Sequence, residues 1–162
     1  MIRLTPRINS QQQLDDLFRR LPSAMKATVE QTLEAGGQLI ANDMRKSIAR
    51  GTKSGRIYTQ YFRTSPTGGV FPIGQRPPHQ ASAPGEAPAS DTGKLVGSIV
   101  ASNKGAHVII EARSAYARML EYGTRKIAPR PFFMPAIERN RARVNELVAA
   151  AVRQAAAQFK TK

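Results

Sequence analysis

Cysteine is absent from the 162 residues, so neither a disulfide framework nor a thiolate metal site can form. That suits a reducing compartment, or an assembly held together by packing. Tryptophan is absent too. Single-strand and RNA binders usually interleave aromatic platforms with their positive charge, and here only Tyr58, Tyr61 and Phe62 lie near the basic stretch. No apolar run approaches membrane-spanning length, and Met1-Ile2-Arg3-Leu4-Thr5-Pro6 has no apolar signal core. The expectation is a soluble product of the cytoplasm with no membrane partner.

Carboxylates are missing from a long interior stretch. None occurs between Asp43 and Glu86, where Arg45, Lys46, Arg50, Lys53, Arg56, Arg63 and Arg76 all fall. Over the whole chain 25 Lys and Arg stand against 11 Asp and Glu, a formal charge of +14. A chain this basic repels itself and seeks polyanions or acidic partner surfaces. Two readings stay open: direct nucleic-acid contact, and a solvated or partner-facing basic surface. Under either, Arg45, Lys46, Arg50, Lys53, Arg56 and Arg63 are the candidate contacts to DNA or to an acidic partner. No helix-turn-helix, finger or RNA-recognition signature is visible.

The length suits one domain, residues 1–162, able to bury a core. Ser10-Gln11-Gln12-Gln13 reads as a capping box opening a short helix with Leu14, Leu17, Phe18 and Leu21 on one face, closed by Pro22. A longer helix follows from Ser23 to about Ala49, so that 10–49 is the helical N-terminal part. Met25, Val29, Leu33, Ile40, Met44 and Ile48 have helical spacing. Gly36 and Gly37 interrupt it, which implies a kink or a close helix-on-sheet contact. Gly55 to Thr64 has strand composition. Residues 65–90, with Pro66, Pro72, Pro77, Pro78, Pro84 and Pro88, read as an irregular extended arm, since proline rules out a helix and disfavours a central strand.

Asp91 or Thr92 is placed to cap a short helical turn through Lys94-Leu95-Val96. Ile99 to Ser102 and Ala106 to Ala112 read as two strands joined across Asn103-Lys104-Gly105. Ser114 reads as the cap of a brief helix, Ala115 to Tyr122, with Gly123 as its C′ residue. These elements make residues 91–137 a region of sheet and short helices. A final helix covers residues 134–159, with the stripe Ile137, Val144, Leu147 or Val148, Ala151, Ala155 and Phe159. Its alanine-rich end suits contact with another subunit as well as with the core. The fold class is α+β: a small, mainly antiparallel sheet packed by a long N-terminal and a long C-terminal helix, with a long Pro/Gly-rich arm.

Catalytic signals do not survive weighing. Asp91-Thr92-Gly93 matches an aspartic-protease triplet, but that chemistry needs apolar strands on both sides of it, and here Pro88-Ala89-Ser90 precedes it and Lys94 follows. His79 and His107 are far apart in sequence and read as surface or structural residues. Gly68-Gly69 lacks the Lys-Ser/Thr of a phosphate loop. Glu111 and Glu121 pair as acid and base only by conjecture, and Glu121 reads as a local anchor for Arg118 or Arg125. The expectation is no catalytic residue, cofactor or metal, and no enzyme.

Four pieces taken in order carry a resemblance. They are Ala81 to Pro88; Asp91-Thr92-Gly93-Lys94-Leu95 with Ser98-Ile99; Tyr116 to Gly123-Thr124; and Arg130-Pro131-Phe132 with Pro135-Ala136. Together they resemble the gene-product-ten-like tail-component proteins of long-tailed bacteriophages, closely over residues 79–137 and by pattern over 23–63. Thr64 to Arg76 departs as a longer, glycine-rich insert.

The resemblance implies a structural virion protein made in the host cytoplasm, a neck or tail-completion subunit forming a homo-oligomeric ring around the DNA channel at the head–tail junction. Its partners would be other copies, further neck, portal-adaptor and tail proteins, and phage DNA. Asp91, Thr92, Gly93, Tyr116, Glu121, Gly123, Pro131 and Phe132 are its fold-motif positions. Pro77, Pro78, Pro84, Gly85, Glu86 and Pro88 are the arm positions expected to meet a neighbouring subunit. The alternatives are a free basic nucleic-acid-binding protein and a transient tail-assembly factor.

Overall fold

A helix over residues 23–50 is the element against which both other layers of the core are laid. The computed structural model describes residues 2–3, 18–19, 21–64 and 67–160. In chain order the elements are β1 (Ile2–Arg3), α1 (Ser23–Arg50), β2 (Ile57–Thr64), β3 (Val70–Gln80), α2 (Lys94–Gly97), β4 (Ile99–Asn103), β5 (Val108–Ala112), α3 (Ala117–Tyr122) and α4 (Phe133–Lys160). The capping box at Ser10 to Gln13 lies outside the described residues; of the short helix it was to open, Phe18 and Arg19 are helical.

Val29, Ile40, Met44 and Ile48 of the expected stripe are buried, and α1 runs through Gly36-Gly37 without a break. Successive helix residues point about 100° apart, so the two glycines open two different faces. A methyl group at Gly36 would lie 3.0 Å from Val144 Cγ1 on α4, whereas one at Gly37 would overlap Val108 Cγ1 on β5 and touch Ala101 on β4. One helix thus approaches a second helix on one side and a sheet on the other. The helix pair is antiparallel, because Gly36 meets Val144 while Asp43 accepts from Arg139 Nε at 3.1 Å and Asn140 Nδ2 at 2.8 Å.

The sheet on the other side of α1 has the order β1-β5-β4, all antiparallel. β4 and β5 are the expected hairpin, in register from Ile99↔Ala112 to Asn103↔Val108. Gly105 turns it with φ +77, its N–H donating to Asn103 Oδ1 at 2.8 Å, while Asn103 Nδ2 reaches Glu30 O on α1 at 3.2 Å. The core between these layers is Ile40, Ala41, Met44 and Ile48 with Leu95, Ile99, Ala112, Ala117, Phe132, Phe133 and Ala136.

Several expectations change. Residues 70–80 are not irregular: β3 pairs antiparallel with β2 in a second, two-stranded sheet. Proline excludes a central strand because it lacks a ladder donor, but a two-stranded sheet consists of edges, where the missing N–H can face outward. Register shifts fall between Tyr58 and Gln60 and between Gln60 and Phe62, opposite the stretch that holds Pro72, Pro77 and Pro78. Of the arm's described residues, 81–90 and the three at 67–69 remain outside helix and strand. Asp91 and Thr92 are exposed and make no cap; Gly93, at φ +73, sits at the start of α2, and its carbonyl accepts from Gly97 N at 2.9 Å. At α3 the carbonyl of Ser114, not its hydroxyl, accepts from Ala117 N. On α4 the stripe runs through half-buried Val148 and leaves Leu147 exposed.

The two glycines should respond unequally to alanine. Gly37→Ala is expected to destabilise by about 1–3 kcal/mol through overpacking against Val108. At Gly36 the gain in helix propensity, about 1 kcal/mol, offsets the tighter fit on Val144, so Gly36→Ala should be close to neutral. Urea unfolding followed by circular dichroism checks the pair; equal effects at both positions would contradict the two-faced packing.

Candidate functional site

Helix α4 begins after Arg130-Pro131-Phe132, which offers no Ser, Thr, Asp or Asn to receive the unpaired N–H groups of its first turn. Glu121 supplies the acceptor from α3. Its Oε2 accepts from Phe132 N and Phe133 N, and its Oε1 from Met134 N, each at 2.9 Å. The side chain is buried at 5% exposure, and a carboxylate at the positive end of a 28-residue helix is favourably placed. Glu121 is therefore not an anchor for Arg118 or Arg125. A carboxylate surrounded by backbone N–H groups has no room for a guanidinium, and both arginines are exposed.

The link between α3 and α4 is closed on itself. Gly123 takes φ +74, as expected for the residue after α3, and a Cβ there would lie 2.8 Å from Ile127 O. Thr124 N donates to Ile127 O at 2.8 Å, and Arg130 N to Leu120 O at 2.7 Å. This loop holds the first motif piece. Gly85 N donates to Pro129 O at 2.9 Å, and Arg130 Nε to the carbonyl of buried Ser82 at 3.2 Å.

Glu86 closes the other side of that piece by accepting from Ser54 N at 3.0 Å, Ser54 Oγ at 2.6 Å and Ala83 N at 2.8 Å. These bonds, Ser54's hydroxyl first, hold its carboxyl below the usual glutamate range. Lys53 Nζ reaches Ala87 O at 2.9 Å and Ser47 O at 3.3 Å; burial lowers its ammonium against the pull of Glu86. Pro88 is buried and Pro84 and Pro78 are exposed. Residues 81–88 are thus tied to their own chain at both ends, while Pro77 and Pro78 belong to β3.

The pieces meet around a groove of about 470 Å³. Its floor is Pro88, Leu95 and Leu120, its walls Tyr116 and Ile127, and Asp91, Thr92, Gly93 and Lys94 form one lip. Pro131 and Phe132 lie just before α4 and do not line the groove. Among the described residues no cluster of three or more His, Asp or Glu could hold a metal ion, and no helix is long and apolar enough to cross a membrane. His79 lines the groove, whereas His107 lies before β5 with Nδ1 buried and unpartnered. The two carboxylates have separate partners: Glu111 on β5 accepts from Arg113 just beyond it, and Glu121 from the start of α4.

The basic candidates separate into two kinds. Arg45 donates to Ile99 O at 2.6 Å and Asn42 Oδ1 at 2.8 Å, and Lys53 is committed as above. Lys46 and Arg50, one turn apart on α1, are exposed, as is Arg56, whose guanidinium lies 5.5 Å from the Tyr58 ring centre. Arg63 lies on β2, the strand that runs away from this root. Three positions of consequence escaped the sequence reading: Arg130 as a clamp, and Met119 and Tyr122 as exposed apolar side chains. The missing cap before α4 was the signal that could have drawn attention to Glu121.

Replacing Glu121 by Ala leaves three N–H groups unpaired, two of them on buried residues, and should lower stability by about 2–5 kcal/mol in urea unfolding. Glu86 gives a pH signature. Its folded pKa is depressed, so its contribution is present above the unfolded value of about 4.3 and is lost as pH falls toward the folded value. Lys53, its folded value also depressed by burial, has the same sign in a higher window: its desolvation costs stability at neutral pH, and that cost is relieved as pH rises toward the ordinary lysine range. Wild type should therefore lose melting temperature below that glutamate value more steeply than Glu86→Gln, and parallel acid limbs in thermal melts would count against the clasp.

No protein-family model, no curated protein and no solved structure matches the chain.

Proposed function

We propose that this chain is a structural virion protein of a tailed bacteriophage, a neck or tail-completion subunit that forms a ring around the DNA channel at the head–tail junction. The observation that carries the reading is the convergence of the four motif pieces. Separated by up to about fifty residues of sequence, they meet at one corner: Glu121 holds the start of α4, Arg130 and Pro129 hold residues 82–85, and Asp91 to Leu95 edge the same groove. Four short sequence resemblances that fold into one contiguous unit support a shared architecture better than four scattered ones.

The β2–β3 hairpin fits the role. Its strands pair with each other and with no third strand among the described residues. A two-stranded hairpin is marginal in water by itself, and a neighbouring subunit is a natural source of further cover. The fixed residues 81–88 set its base, so the element that reaches a neighbour is the hairpin rather than the whole of 65–90. The positive charge suits a channel for DNA or contact with acidic neighbouring rings. A free basic nucleic-acid-binding protein is the second reading, favoured by the exposed Lys46, Arg50 and Arg56.

Quantitative mass spectrometry of purified particles from the producing lysate tests the proposal. A small fixed copy number per particle, consistent with one closed ring, is expected, and a chain with residues 60–75 replaced by a short turn should stay folded yet be missing from particles. A protein abundant in the lysate but absent from particles overturns the reading. Duplex binding that falls steeply with salt would then bring the nucleic-acid reading forward.

A further inference from the structure

Among the described residues, four of the eight large apolar side chains that stand exposed lie within residues 116–127: Tyr116 at 37%, Met119 at 44%, Tyr122 at 58% and Ile127 at 41%. Tyr116, just before α3, and Met119 and Tyr122 on it recur at every third residue. Tyr116 and Ile127 also form the walls of the groove floored by Pro88, Leu95 and Leu120. Tyr116 thus belongs to both, so the stripe starts at the edge of the groove, and exposed apolar surface gathered in this way marks an interaction site.

Its border is cationic. Lys94 lines the groove, and Arg118, Arg125 and Lys126, next in sequence to Met119 and Ile127, are exposed. Of the nearby carboxylates, Glu121 is buried and bonded to the start of α4, which leaves Asp91 on the lip as the exposed acid. We propose that this surface is a docking site for an acidic amphipathic helix of a different protein, its apolar side chains in the groove and its carboxylates on the cationic border. A second copy is the poorer occupant, since burying this border against a chain of formal charge +14 brings like charges together. A nucleic acid is the competing occupant, since Tyr116 and Tyr122 could stack on bases, but Met119, Ile127 and the Pro88, Leu95 and Leu120 lining are aliphatic, and methionine suits adaptable peptide contact. The site stands on this geometry alone and does not depend on the virion reading.

The test is fluorescence anisotropy with the full chain and a labelled probe peptide of about 16 residues, Leu and Phe at helical spacing and Glu elsewhere. Met119→Asp and Tyr122→Asp, both at exposed positions, should each weaken binding about tenfold, with unchanged circular dichroism. Arg141→Gln on the exposed side of α4 lowers the net charge equally and should change affinity by less than about twofold. A peptide of the same composition with its apolar spacing scrambled should bind weakly. Equal loss in Arg141→Gln and Met119→Asp, or equal binding of the scrambled peptide, overturns the proposal by reducing it to net charge. A single-stranded oligonucleotide that displaces the peptide and is itself lost on Met119→Asp overturns it in favour of nucleic acid.

Discussion

A buried carboxylate at the first turn of the C-terminal helix is the interaction on which this fold turns. Long helices must dispose of the N–H groups at their start, and α4 has no local residue to do so. By drawing the acceptor from α3, the chain fixes the distance between the two helices and pins Phe132 and Phe133 into the core, where their rings meet edge-on at 6.3 Å. It also shapes the loop between them, whose carbonyl and guanidinium groups then hold residues 82–85. One charge with three bonds thus organises a helix start, an aromatic pair and the arm.

The same residues explain why the sequence was readable in some places and not in others. Apolar spacing along Val29 to Ile48 and from Ile137 to Ala151 reports burial directly, because a helix repeats its faces on a fixed period. Gly36-Gly37 was legible as a close approach, since glycine in a helix interior is unfavourable without a packing reason. Asn103-Lys104-Gly105 was legible as a turn for a similar reason. Pairing and capping across long separations were not. Nothing local distinguishes the prolines of a two-stranded hairpin from those of a coil, and a cap sought among the residues just before α4 does not lead to Glu121, eleven residues before Phe132.

Charge was legible as a total and misleading as a map. The acid-free stretch suggested six candidate contacts to DNA or an acidic partner, yet Arg45 and Lys53 donate to carbonyls of their own chain. Long basic side chains near helix ends and loops serve as hydrogen-bond donors as readily as they serve as solvated charge. Outward-facing charge stands at the end of α1 with Arg56, beside the groove at Lys94, and along α4 at Arg141, Arg143 and Arg153. These are separate surfaces set by different elements, so a single count of Lys and Arg could not have told them apart.

Because α1 touches both the helix layer and the sheet layer, while α4 and the β1-β5-β4 sheet each lean on it, its amide hydrogens cannot be released by opening one layer alone. Exchange with solvent along the middle of α1 must wait for the whole core to come apart, and its protection factors measure the global stability of the fold. The described strands β2 and β3 pair with each other and with neither layer, so their amides should exchange sooner than those of α1. The molecule thus carries two clocks: a slow one in its central helix that keeps the time of unfolding, and a fast one in its hairpin.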